Sequence, residues 1–91
     1  MQIKLNMSAD EVNGHMSWVK QELEHMGVPL TGFYVATRET DPGIEIDSKY
    51  ILQYCYYSSP LYFLDKVESP GEEIFACNDL NEVVQFLRER H

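Results

Sequence analysis

Apolar residues recur along this chain at two different periods. Val12, Met16, Val19, Leu23 and Met26 stand four, three, four and three residues apart, which places them on one face of a helix. Ser8-Ala9-Asp10-Glu11 precedes them as a capping box, with two acids in the first turn, and Gly27 followed by Pro29 ends the run. The pattern predicts a helix over residues 9–26. Gly14 interrupts it at a cost of about 1 kcal/mol relative to alanine, and a close helix–sheet approach there would account for the choice. A second stripe, Leu80, Val83, Val84 and Leu87, follows Asp79 and Glu82, a further capping box, and ends in Arg88 and Arg90.

Between the helices the period changes to two. Residues 50–64, YILQYCYYSSPLYFL, hold five of the six tyrosines and no charge. Ser58-Ser59-Pro60 divides them into two extended runs, because proline fixes its own φ and cannot donate to a ladder. Residues 32–38 (GFYVATR) alternate as a first strand, residues 49–57 form a second, 61–67 a third and 73–77 a fourth. Asp41-Pro42-Gly43 and Pro70-Gly71 mark turns, and the alternating residues 44–47 extend the second strand backwards. Residues 2–6 (QIKLN) also alternate, as a short edge strand or a lead-in. Turns this short require antiparallel neighbours. Two amphipathic helices then find cover on one side of the sheet. The expectation is a single α+β domain over residues 1–91, a two-layer sandwich. Its four-stranded antiparallel meander has both helices on one face, in the order α-β-β-β-β-α.

Composition narrows the partners. Fifteen acidic side chains against seven basic ones give a net charge of −8, which disfavours both phosphate backbones and anionic membranes. A basic protein surface is the partner of matching sign. No signal-like or membrane-spanning apolar run is present, and two cysteines are too few for a secreted disulfide framework. The reading is a cytoplasmic protein with Cys55 and Cys77 as buried free thiols.

In a four-stranded meander the first and third turns, residues 39–48 and 68–72, fall at one end. That topology predicts an acidic rim of Glu39, Asp41, Glu45, Asp47, Glu68, Glu72 and Glu73. Its spacing does not match a calcium loop. Alternation along the second strand leaves aromatics on both sheet faces, so an open face bearing Tyr34, Tyr54 and Tyr56 is a second candidate contact surface. His15 and His25 read as surface histidines, no ligand spacing suggests a metal, and the glycines stand singly rather than in a phosphate loop. No cofactor is expected and no reaction is indicated. The expected function is non-catalytic, an acidic protein-binding module with the size and charge of inhibitor or immunity-type proteins that neutralise a basic enzyme. The alternatives are a small enzyme or ligand-binding domain with a pocket between the first helix and the Tyr-rich strand, and a structural homodimer.

Overall fold

The computed structural model describes residues 9–37, 40–55 and 61–89, with the side chains of Pro70 and Gly71 outside that description. Residues 2–6, the Ser8 cap, Glu39, Tyr56, the turn at 58–60 and Arg90 therefore lie outside the described residues. The order is α1 (Ala9–His25), β1 (Leu30–Tyr34), β2 (Gly43–Ile46), β3 (Tyr50–Tyr54), β4 (Tyr62–Lys66), β5 (Ser69–Cys77) and α2 (Leu80–Glu89). Five strands form one antiparallel sheet, each beside its neighbour in sequence.

The class is the expected α+β, but the strand count is five rather than four. Residues 44–46 are a strand in their own right, paired with β1 on one side and β3 on the other. The chain reverses after them at Asp47 and Ser48, whose φ values of 52° and 54° lie in the left-handed region. Residues 47–49 separate the pair Ile46–Tyr50, and positive φ at both central residues of the Ile46–Lys49 turn is the type I′ conformation. Asn-Gly supplies that cheaply, whereas Asp-Ser does so under strain of about 1 kcal/mol or more per residue. Three hydrogen bonds hold it. Lys49 N–H donates to Ile46 O at 2.9 Å, Asp47 N–H to Pro29 O at 2.9 Å, and Ser48 N–H to Thr31 Oγ1 at 2.9 Å.

The first strand is shorter than the sequence suggests, ending at Tyr34. Just beyond it, Asn13 on α1 takes both backbone groups of Ala36: its Oδ1 accepts from Ala36 N–H at 2.6 Å and its Nδ2 donates to Ala36 O at 3.2 Å. A helix side chain thus stands where a ladder partner would. The last strand is longer than expected, reaching back to Ser69 with two register shifts. Pro70 falls in the register-shifted stretch of this edge strand, between the paired residues Ser69 and Glu73, a position where proline is tolerated.

Both helices cover the same face. Val12, Met16, Val19 and Leu23 of α1 and Leu80, Val83, Val84 and Leu87 of α2 are buried with Ile44, Ile46, Leu52, Tyr54, Tyr62, Leu64 and Cys77 of the sheet. Met26 lies past the helix and is half-buried. Gly27, at φ 79°, closes α1 as a Schellman motif, with Val28 N–H to Leu23 O at 3.0 Å and Gly27 N–H to Glu24 O at 3.1 Å. Asp79 caps α2, its Oδ1 accepting from Asn81 N–H at 3.0 Å.

Gly14 does not mark a close helix–sheet approach. It is exposed, and a Cβ built there meets nothing within 4 Å. Gly14→Ala is therefore expected to raise stability by about 0.5–1 kcal/mol through helix propensity alone, a gain that urea unfolding at two or more wavelengths would measure.

Candidate functional site

The extra strand redistributes the acidic rim. With five strands, the connections at 35–42 and 55–61 share one end of the sheet, and the turns at 47–49 and 67–68 share the other. Asp41 therefore stands at one end, while Asp47 and Glu68 stand at the opposite end beside Lys49 and Lys66. Lys49 Nζ lies 3.7 Å from Asp47 Oδ2. These acids do not form one edge.

Three carboxylates are aligned in one row elsewhere, on the face the helices leave open. Side chains alternate across a strand, so with Ile44, Leu52 and Leu64 turned to the core their neighbours turn away from it. The register then sets Glu45, Ile51, Asp65 and Glu73 in one row across β2 to β5. A second row runs Tyr34, Gly43, Gln53, Phe63 and Ala76. Glu72 lies on β5 beside Glu73 and is exposed. No lysine or arginine occurs in either row. Asp65 is 7% exposed and directly opposite Glu73; like charges so placed work against the sheet. Sequence reasoning missed Asp65. The available signal was an acid, Asp65, directly after the apolar Tyr62-Phe63-Leu64 of the same strand, but only the register ties it to Glu45 and Glu73.

Glu45 is held in place. Thr31 Oγ1 donates to its Oε2 at 2.8 Å and Tyr34 Oη to its Oε1 at 3.2 Å. That hydrogen bond, with the carboxylate charge, raises the Tyr34 pKa above the ordinary tyrosine value. Tyr34 is 51% exposed, as expected of a residue on an open face.

Tyr54 is not on that face. It is buried beneath α1, stacked on His15 with ring centroids 4.3 Å apart and beside Tyr62 at 5.4 Å. His15 Nε2 lies 2.8 Å from Tyr62 Oη, and Trp18, half-exposed, sits at 5.7 Å from His15. His15 is therefore a half-buried packing residue rather than a surface one, and ring packing occupies the place where the sequence suggested a pocket. Burial lowers the His15 pKa. It also pushes Tyr62 up to about 12, helped by the nearby Tyr54, Cys77 and Asp79. A neutral imidazole and a protonated phenol share one hydrogen bond; nothing here activates either as a base or nucleophile.

A stability effect follows from His15. Its folded pKa lies below the unfolded value of 6.5, so folding favours the neutral ring. The contribution is complete above about pH 6.5 and declines as pH falls through the lowered folded value. Urea midpoints at pH 7.5 and 5.5 should differ more for the parent chain than for His15→Gln.

Cys77 is buried, its Sγ donating to Asp79 O at 3.3 Å, but Cys55 is only half-buried, contrary to expectation; neither is in a disulfide. Among the described residues no three His, Cys, Asp or Glu gather as a metal site, and no helix is long and apolar enough to cross a membrane. An apolar cleft of about 120 Å³ lies between the C-terminal ends of α1 and α2, and an open one of about 290 Å³ lies at the turns bearing Lys49 and Lys66. Compared with models of protein families, curated proteins and solved structures, the chain matches none.

Proposed function

We propose that this chain is a protein-binding module whose open sheet face docks a basic protein. The observation that carries the reading is the row of Glu45, Asp65 and Glu73, which with the row beside it holds no lysine or arginine and in which Glu45 and Glu73 are the accessible acids. Half-exposed Ile51 and Phe63 lie within that face, and Tyr34 stands at its margin. An apolar centre with polar groups around it is the usual build of an interface, and a net charge of −8 steers a cationic surface towards it. An inhibitor that covers a basic enzyme would fit such a face.

The reading is tested with two charge-matched variants. Glu45→Lys/Glu73→Lys alters the sheet face; Glu24→Lys/Glu89→Lys alters exposed positions on the helices by the same net charge. The immobilised parent chain is used to retain a basic protein at low salt, and association rates are then compared for the three proteins. The sheet-face variant is expected to associate at least about tenfold more slowly and to lose most of its salt dependence. The helix variant should keep most of the parent rate. Equal losses in both would mean that bulk charge alone attracts the partner, and retention of no basic protein would defeat the reading.

A further inference from the structure

We infer that Tyr34 and Glu45 form a seat for an arginine side chain of the docked protein, an inference that rests on the open-face reading and names what the partner must present. Two glycines make the seat. Gly43 stands directly opposite Tyr34 across the β1–β2 pair. A Cβ there would lie 3.9 Å from Tyr34 Cδ2 and 3.2 Å from Ile51 Cγ2. Gly32, opposite Glu45, is tighter. Its Cβ would come within 3.2 Å of Tyr34 Oη, 3.4 Å of Tyr34 Cε2 and 3.2 Å of Glu45 Cβ. The phenol therefore runs along the sheet from Gly43 to Gly32, over positions with no side chain to lift it. A cross-strand aromatic lying over a glycine is a known way to support a sheet there, and it leaves the ring half open to solvent.

The carboxylate beside that ring is already fixed. Each Glu45 oxygen accepts one hydroxyl, from Thr31 or Tyr34, and keeps accepting capacity for a second donor. Little ordering remains to be done when a cation arrives, so less of the contact free energy is lost to entropy. A π-surface next to an anchored carboxylate suits a planar cation. A guanidinium can lie on the ring while its N–H groups point in plane at the carboxylate. A lysine ammonium supplies the charge but has no plane to stack.

The probe is N-acetyl-arginine amide, titrated into the ¹⁵N-labelled full chain at constant ionic strength, with the lysine and citrulline analogues alongside. Amide shifts are expected at Gly32, Tyr34, Gly43 and Glu45. The response should be at least about twofold steeper for arginine than for lysine, from the stacking contribution, and absent for neutral citrulline. Tyr34→Leu should remove the arginine preference and Glu45→Gln most of the response, each variant first shown to keep the parent amide spectrum elsewhere. Equal responses to arginine and lysine, shifts spread over all carboxylates, or an unchanged preference in Tyr34→Leu would each overturn the seat. If the seat is overturned but the sheet-face charge reversal still slows capture, the docking reading stands alone. An intact arginine response with no basic protein retained would leave the seat and defeat the docking reading.

Discussion

Leu23→Asp is expected to abolish cooperative unfolding. Leu23 is 0% exposed, near the end of the α1 stripe that meets the sheet. A carboxylate there would be buried within the apolar cluster, and its desolvation costs several kcal/mol. A domain this size has a total stability of about 5–15 kcal/mol, so one such charge removes much or all of it. Heat or urea, followed by circular dichroism, should give a sloping curve with no defined midpoint. A sharp transition at the parent midpoint would mean that the α1 stripe is not part of the core.

Two tyrosines separate stability from binding. Tyr54→Ala removes a buried ring stacked on His15 and next to Tyr62, and truncating a buried aromatic costs about 3–5 kcal/mol. Tyr34→Ala, on the open face, loses its cover of Gly32 and Gly43 and should cost about 1 kcal/mol or less, well below Tyr54→Ala, while weakening capture of a basic protein. Urea midpoints and partner association rates measured on both variants give the result. A stable Tyr54→Ala would contradict the buried stack, and normal binding by Tyr34→Ala would remove that residue from the contact surface.

The helices were legible because their stripes follow the 3.6-residue period: all four α2 positions and four of the five α1 positions are buried, the exception being Met26 past the end of α1. The α+β class and the antiparallel, chain-ordered sheet followed from short turns. The fifth strand was hidden because the chain reverses at Asp47-Ser48, residues that seldom take positive φ together, while Asp41-Pro42-Gly43 nearby has stronger turn chemistry. The end of β1 was hidden for a different reason, since Asn13, 23 positions away, decides it. Face assignment failed at β3. Tyr50, Leu52 and Tyr54 alternate with Ile51, Gln53 and Cys55, two sets of similar polarity, so the pattern could not say which looked inward. The helix-covered set proved to hold Leu52 and Tyr54, which took Tyr54 off the candidate surface. The carboxylate row depended on all of these, because a one-residue error in register moves every side chain to the other face.

The strict neighbour-to-neighbour order of the sheet also bears on how the chain reaches this state. Every strand pairs with the one that precedes or follows it, so each ladder closes a short loop and loses little entropy in doing so. Such topologies fold quickly for sheet proteins. In folding from the denatured chain, β1 to β4 can pair through local contacts before α2 docks. During that interval Leu52 and Leu64 have α1 for cover but lack Val83, Val84 and Leu87. Arrival of the last helix is thus the step that ends exposure of the apolar face. A chain truncated before residue 80 would hold a paired but unsealed sheet, the species most open to chaperones and to aggregation.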